Sequence, residues 1–239
     1  MIDGRLRGVL IDLDGTLMDT APDLAEAANR MRAELGLEPL PVARIAAFVG
    51  KGADVLVHRA LTDAMDGRAD DAGFARGRAA FFRHYHAVNG ARSVVFDAVP
   101  QALDRLRQCG LALACVTNKP REFTLPLLER AQLAAHFSAV VAGDDVREKK
   151  PHPALLLEAC RRLTLTPAQV LMVGDSVNDA LAARAAGCPV VLVETGYNEG
   201  ESVHDLGRRD ERARADAIVP ALIDAARLVM AALTSGSRP

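Results

Sequence analysis

The sequence predicts an α/β fold with a doubly wound parallel sheet and a small helical domain inserted after the first strand. An apolar strand at residues 9–11 is followed by a stretch that carries helical patterns alone, from about residue 20 to 93. From residue 98 onward, apolar strands alternate with helices, which predicts parallel βαβ units in a sheet covered on both faces. We therefore expect a Rossmann-like core domain of residues 1–19 and 94–239, and a helical cap domain of residues 20–93.

The composition argues against binding to nucleic acid and against insertion into a membrane. The chain has 239 residues, of which 50% are hydrophobic and 4% aromatic, and its formal net charge is −2. Its basic residues form no stripe interleaved with aromatics, so we expect no binding to nucleic acid. No apolar run reaches the roughly 20 residues that span a membrane, and the first residues, MIDGRLRG, lack the apolar region of a signal peptide. We expect a cytoplasmic protein with no membrane partner, and both a monomer and a homodimer remain open.

The cap region is predicted to contain four helices. The first begins near Thr20, has Pro22 in its first turn and ends at Gly36. The other three are predicted by VARIAAFV (42–49), ADVLVHRALTDAM (53–65) and GFARGRAAFFRHYHAV (73–88). Two short connections, near residues 18–20 and 93–97, would join this region to the core as a hinge.

The rest of the core is predicted to contain five more strands and five helices. The strands are LALACVT (111–117), SAVVAG (138–143), VLMVGD (170–175), PVVLVE (189–194) and a short AIV (217–219). The helices are QALDRLRQCG (101–110), REFTLPLLERAQL (121–133), PALLLEACRRL (153–163), NDALAARAAG (178–187) and ALIDAARLVMAAL (221–233). We expect the charged residues 199–216 to form a surface loop and the final TSGSRP to fray.

Four short polar motifs lie where strands end or where the next helix begins. They are Asp12 with Asp14, Thr117 with Asn118, Lys150 before Pro151, and Asp175 with Ser176 and Asp179. Each has an ordinary interpretation alone: a turn, a helix cap, a surface lysine, and a helix start. Because open α/β sheets bind ligands at the carboxyl ends of their strands, their joint occurrence indicates one site.

These residue types fit phosphoryl transfer. An aspartate such as Asp12 can attack phosphorus and form an aspartyl-phosphate, and a second carboxylate at Asp14 can protonate the leaving group and then activate water. Thr117 can donate to a phosphoryl oxygen, and Lys150 can neutralise charge. Asp175, together with Asp12, can hold a hard cation, for which Mg²⁺ is well suited.

The motifs DLDGTL, VTNK, KKP and GDSVND resemble the four-motif signature of the haloacid dehalogenase superfamily. The resemblance implies that Asp12 is the nucleophile and Asp14 the general acid and base. It also implies that Thr117 binds phosphate and that Lys150 stabilises the charged intermediate. Mg²⁺ would be held by Asp12, Asp175 and the backbone carbonyl of Asp14, and the metal shell would be supported by Asp179 and Ser176.

Within that superfamily, a carboxylate at Asp14 resembles the phosphatases and phosphomutases, and helices inserted after the first motif resemble the subclass with a small helical cap. The sequence is most similar to the phosphoglycolate phosphatases in four stretches: FVGKGADVLVHRAL, VTNKP, GDSVNDALAARAAGC and TGYNEGE. The implied reaction is Mg²⁺-dependent hydrolysis of 2-phosphoglycolate, a small phosphorylated metabolite. The alternatives are a β-phosphoglucomutase-like isomerase, or a phosphatase for sugar phosphates, pyrophosphate or nucleotides.

Two other classes are disfavoured by the motif residues. A non-catalytic binding protein on this fold would have no need for all of Asp12, Asp14 and Lys150 together with Asp175. A carbon–halogen hydrolase is disfavoured by the acid at Asp14.

The substrate contacts are predicted less directly than the reaction. Gly15 and Asn118 would approach the phosphoryl group, and in the cap Gly50 and Gly52 would let the backbone come close to a ligand. Lys51 between them could face the substrate carboxylate, although an exposed loop lysine is an equal interpretation. The six histidines have no metal-ligand spacing, so we expect them to be structural or surface residues. The four cysteines have no CxxC spacing, so we expect them to be reduced and structural.

Overall fold

A computed structural model of the chain describes residues 5–235 and confirms the α/β fold. Its strands are β1 Gly8–Ile11, β2 Met18–Asp19, β3 Val94–Val95, β4 Ala112–Val116, β5 Ala139–Val141, β6 Val170–Gly174, β7 Val190–Val193 and β8 Ala217–Val219. Six of them form a parallel sheet in the order β5-β4-β1-β6-β7-β8, while β2 and β3 pair separately and antiparallel. The first strand therefore lies inside the sheet, with β4 and β6 as its neighbours.

Among the described residues, ten α-helices accompany these strands. They are α1 Ala21–Glu34, α2 Val42–Ala46, α3 Ala53–Thr62, α4 Asp71–Val88, α5 Val99–Gln108, α6 Arg121–Arg130, α7 Ala154–Leu163, α8 Val177–Ala186, α9 Leu206–Arg209 and α10 Leu222–Ser235. Helices α5, α6 and α10 pack on one face of the sheet, and α7 and α8 pack on the other. Strand β1 contacts both layers because its side chains alternate: Val9 and Ile11 join the first cluster, and Leu10 joins the second.

Helices α1 to α4 share a third hydrophobic cluster. Its largest members are Phe48, Phe81 and Tyr85, and Phe123 of α6 is a core residue that joins it. A hydrophobic cluster of its own is what a separate cap needs. The division into a core domain of residues 1–19 and 94–239 and a cap domain of residues 20–93 stays a prediction. The word cap refers from here on to helices α1 to α4 with the turns between them, and core to the other described residues.

The two connections between cap and core are tied to each other. Strands β2 and β3, too short to show an alternating pattern in the sequence, pair across them. Next to this ribbon, the carboxylate of Asp23 is fully buried and accepts hydrogen bonds from the backbone amides of Gly90, Arg92 and Ser93 at 2.8–3.0 Å. The hydroxyl of Ser93 donates to it as well, at 2.5 Å. These contacts fix the start of α1 to the chain that leaves α4.

Several expectations about local structure need correction. The predicted helix at 42–49 ends as α2 at Ala46, and turns follow it. Residues 199–216 are not simply a surface loop: they contain α9 and several 3₁₀ turns, and Val203, Leu206 and Ala213 are buried. The predicted frayed tail TSGSRP is wrong at its first two residues, which belong to α10, and residues 236–239 lie outside the described residues, as do the first four residues of MIDGRLRG. Across residues 5–235, no helix has the length and apolar character of a membrane span.

Candidate active site

Asp12 directly follows strand β1, and its amide continues the sheet pattern by donating to the carbonyl of Val173 at 2.9 Å. The chain then makes a tight turn in which Gly15 N donates to Met18 O at 2.8 Å. Gly15 has a φ of +84°, and a Cβ there would lie 2.5 Å from Asp175 Oδ2. This glycine therefore lets the first motif pack against the fourth, a structural role beside the substrate contact expected from the sequence.

Lys150 lies between two of the predicted site carboxylates. Its Nζ is 2.9 Å from Asp12 Oδ1 and 2.7 Å from Asp179 Oδ1, and it donates to the carbonyl of Val116 at 2.9 Å. Burial alone would lower the pKa of Lys150, but the carboxylates of Asp12 and Asp179 outweigh it and raise that pKa. The lysine is thus a buried, fixed positive charge beside Asp12.

Asp175 and Asp179 are held at the start of α8. Asp179 accepts from the amide and the hydroxyl of Ser176 at 3.1 and 2.7 Å and so caps this helix. Asp175 Oδ1 accepts from Thr16 Oγ1 at 3.2 Å, and its Oδ2 accepts from Tyr197 N at 2.9 Å. The ordinary interpretation of Asp179 as a helix-start residue therefore holds alongside its contact with Lys150.

The donor set fits a hard divalent cation. Asp12, Asp175 and Asp179 each offer a carboxylate oxygen, and these atoms lie within 4.8 Å of one another. Asp12 Oδ1 is buried and has no hydrogen-bond partner in residues 5–235, since its contact with Lys150 lacks hydrogen-bond geometry. Burial raises the pKa of Asp12 to about 7 and also raises the pKa of Asp175. A bound cation would compensate these desolvated carboxylates, and oxygen donors suit Mg²⁺.

Asp14 is positioned by two residues that the sequence analysis did not assign to the site. Its Oδ1 accepts from Lys119 Nζ at 2.7 Å and from Thr20 Oγ1 at 2.5 Å. Thr20 was expected near a helix cap, and it is the N-cap residue of α1, but its side chain makes no capping hydrogen bond. Lys119 is the last residue of VTNK, so the motif itself was the available signal.

Thr117 and Asn118 follow strand β4, but their side chains differ in whether their hydrogen-bonding groups are available to a substrate. Thr117 lines the central cavity, where its hydroxyl can donate to a phosphoryl oxygen. The side chain of Asn118 donates to the carbonyls of Gly50 and Lys150 at 2.8 and 2.9 Å and accepts from Lys150 N at 2.9 Å. These bonds engage the Asn118 side-chain amide. Asn118 therefore links the Gly50 loop of the cap to Lys150 of the core.

Residues of three of the four motifs line a cavity between core and cap, and Lys150 does not line it but contacts Asp12, which does. From the core, its lining includes Asp12, Asp14, Thr117, Asp175 and Ser176. From the cap, it is lined by Leu24, Val49, Gly50, Gly52, Ala53, Leu56, Phe81 and Tyr85. The polar side chains are thus concentrated on the core side, and the cap side is mainly apolar.

Lys51 does not line this cavity, which departs from the position expected for a substrate anchor. Its Nζ lies 3.2 Å from the carboxylate of Glu199, and its side chain is 40% exposed. Glu199 also pairs with the buried Arg59 of α3 at 3.1 Å. Gly50 and Gly52 do line the cavity, as expected. The ammonium group of Lys51, which lies between them in the sequence, instead pairs with Glu199. Sequence spacing could not reveal a partner 148 positions away.

Tyr197, within the stretch TGYNEGE, has contacts at the site that its place in the sequence does not indicate. Its amide holds Asp175, and its hydroxyl donates to Asp19 Oδ1 at 2.6 Å. The same hydroxyl oxygen accepts from the amides of Thr20 and Ala21 at 2.8 and 3.0 Å. Tyr197 therefore connects Asp175 to the start of α1.

Known proteins resemble this chain over nearly its whole length. The sequence model of a family described as haloacid dehalogenase-like hydrolase matches residues 9–193. A phosphoglycolate phosphatase of Nitrosospira multiformis is 47% identical over 224 residues, covering 94% of this chain and 96% of the relative. One of Escherichia coli is 43% identical over 221 residues, covering 86% and 87%. The crystal structure of a predicted phosphoglycolate phosphatase from Haemophilus somnus has a TM-score of 0.85 at 31% identity, covering 94% and 98%.

Proposed function

The chain belongs to the haloacid dehalogenase-like hydrolase family, as its four motifs predicted, and we propose that it hydrolyses 2-phosphoglycolate to glycolate and phosphate. It is a phosphatase by family and by its relatives. The substrate follows from relatives named phosphoglycolate phosphatase that are 43–47% identical over most of the chain. We further propose that it acts in the cytoplasm.

One structural observation carries the reaction type. Asp12 Oδ1 is a buried carboxylate oxygen without a hydrogen-bond partner in the described part of the chain, and Asp12 lines the cavity. An oxygen held in this way is free to attack phosphorus. The adjacent Lys150 ammonium, 2.9 Å from Asp12 Oδ1, would keep this carboxylate ionised for attack and would neutralise charge on the phosphoryl group.

The proposed first step forms an aspartyl-phosphate. A carboxylate oxygen of Asp12 attacks phosphorus as the bond between phosphorus and the glycolate oxygen breaks. Asp14 gives that leaving oxygen a proton, and Thr117 and Lys150 stabilise the phosphoryl oxygens. Contacts with Lys119 and Thr20 hold the Asp14 carboxyl in place for the transfer.

The second step returns Asp12 to its starting form. Asp14, now deprotonated, takes a proton from water as the water oxygen attacks phosphorus. The bond between phosphorus and Asp12 breaks, and inorganic phosphate leaves. When bound, Mg²⁺ neutralises charge on the phosphoryl group, and we propose that Asp12, Asp175 and the backbone carbonyl of Asp14 hold it, with Asp179 and Ser176 supporting the site.

The test is a Mg²⁺-dependent phosphate-release assay with 2-phosphoglycolate, pyrophosphate, a sugar phosphate, a nucleoside monophosphate and β-glucose 1-phosphate. We expect the highest kcat/KM with 2-phosphoglycolate, loss of activity in EDTA and its return with Mg²⁺. Conversion of β-glucose 1-phosphate to glucose 6-phosphate would indicate a mutase instead. Full activity in EDTA would contradict the metal assignment, and a higher kcat/KM with another member of the panel would contradict the substrate.

A further inference from the structure

Tyr85 of α4 brings a hydroxyl without an acceptor to the cap side of the cavity. The residue lines the cavity and is 1% exposed. Its hydroxyl is buried and makes no hydrogen bond of good geometry in residues 5–235; the Lys119 ammonium lies near its oxygen, so it is the O–H group that has no acceptor. Four buried side-chain atoms in these residues make no such hydrogen bond, and two of them, Tyr85 Oη and Asp12 Oδ1, belong to residues lining the cavity. Because a buried polar atom without a partner is costly, its presence in a binding cavity indicates a ligand group that completes it.

The surroundings hold the Tyr85 ring in place. It packs against Phe81 and Phe123, with ring centroids 5.5 and 4.6 Å away. Lys119 Nζ lies 5.2 Å from the ring centroid and contacts Asp14. Burial raises the pKa of Tyr85 to about 12, so the hydroxyl keeps its proton near neutral pH. Tyr85 is therefore a fixed hydrogen-bond donor beside a positive charge.

We propose that the Tyr85 hydroxyl donates a hydrogen bond to the substrate carboxylate and so determines specificity. This inference rests on the proposed function. The carboxylate of 2-phosphoglycolate is two bonds beyond the bridging oxygen, so it projects away from the core groups that receive the phosphoryl group. Tyr85 has the one polar side chain among the described cap residues that line the cavity. Lys51, the anchor expected from the sequence, is paired with Glu199 instead.

The test compares 2-phosphoglycolate with ethyl phosphate, which replaces the carboxylate by a methyl group. In Tyr85→Phe, we expect the ratio of the two kcat/KM values to fall about tenfold to a hundredfold, as for loss of a hydrogen bond to a charged group. The loss should appear in KM for 2-phosphoglycolate. Inhibition constants provide a reading independent of turnover: 3-phosphonopropionate should bind Tyr85→Phe more weakly by a similar factor, and propylphosphonate should not.

Two further measurements separate a binding role from a structural one. Phe82→Leu alters the same aromatic cluster, but Phe82 does not line the cavity, so its substrate ratio should stay at the wild-type value. Substrate-free Tyr85→Phe should unfold at the same temperature as wild type or higher, because it removes an unsatisfied hydroxyl. A lower unfolding temperature would show that the hydroxyl has a structural partner, which would overturn the proposal.

The outcomes also distinguish this inference from the proposed function. If wild type prefers 2-phosphoglycolate to ethyl phosphate and Tyr85→Phe retains that preference, the Tyr85 role is wrong and the proposed function stands. If wild type shows no preference, the proposed substrate is wrong, and the Tyr85 inference fails with it. A fall in the ratio for both Tyr85→Phe and Phe82→Leu would assign the effect to packing and overturn the inference.

Discussion

The core side and the cap side of the cavity place their charged groups differently. On the core side, Lys150 lies within 3 Å of both Asp12 and Asp179, and all three are buried. On the cap side, the charges of Lys51 and Arg59 are turned to Glu199, leaving an apolar wall with one hydroxyl. Because of this difference, we expect a substitution on the core side to lower kcat. A change in the cap should affect which substrate is chosen.

The largest effect is expected from Asp12→Asn. Removing a nucleophile costs about 10⁴-fold or more in kcat, whereas changes on the cap side should affect mainly KM. The loss of kcat is measured by steady-state phosphate release from 2-phosphoglycolate. The control is Asp66→Asn, because Asp66 is exposed. If Asp12→Asn kept near-normal turnover, the contrast between the two sides would disappear together with the covalent route.

The next effect, on folding, is expected from Lys150→Met. It would leave Asp12 and Asp179 buried without their shared cation, and breaking a buried ion pair typically costs about 3–5 kcal/mol in the free energy of unfolding. Urea denaturation without Mg²⁺ measures it, with the neighbouring Lys149→Met as a matched control. Equal stability of the two variants would mean that the core charges are not coupled as the contacts indicate.

A smaller effect is expected in how pH changes the stabilisation by Mg²⁺ bound near Asp12, Asp175 and Asp179. Burial raises the folded-state pKa of Asp12 to about 7, against about 3.9 in an unfolded chain. A raised folded pKa adds stability at low pH, and that contribution is lost as the pH rises through about 7. Protons also compete with the metal. We therefore expect Mg²⁺ to raise the unfolding temperature more at pH 8 than at pH 6. An equal or smaller rise at pH 8 would argue against a buried carboxylate as ligand.

The smallest effect is expected from Lys51→Met on the cap side. A partly exposed ion pair contributes about 0–1 kcal/mol, so loss of the contact with Glu199 should change KM for 2-phosphoglycolate less than about fivefold. The comparison is with Tyr85→Phe, assayed in parallel. A larger increase in KM for Lys51→Met than for Tyr85→Phe would restore Lys51 as the carboxylate anchor and reverse our account of the cap.

The core was more predictable from sequence than the cap for physical reasons. Ligands bind at the carboxyl ends of parallel strands, so the positions of Asp12, Thr117 and Asp175 could be inferred without knowing the strand order. The motif VTNK contains Lys119, but the contact of this lysine with Asp14 spans 105 positions, and no local pattern encodes that partner. The partner of Lys51 was hidden for the same reason, because Glu199 reaches it through the folding of a distant loop.

The most direct test of the central claim is detection of a phosphoryl group on Asp12. Wild-type protein would be mixed with 2-phosphoglycolate and Mg²⁺, quenched in acid within the first turnover, digested and analysed by mass spectrometry. We predict that the peptide containing Asp12 gains one phosphoryl group, at a rate no slower than turnover, and that Asp12→Asn gains none. Turnover in wild type with no phosphorylated Asp12 peptide at any quench time, or with the group on another residue, would contradict the account.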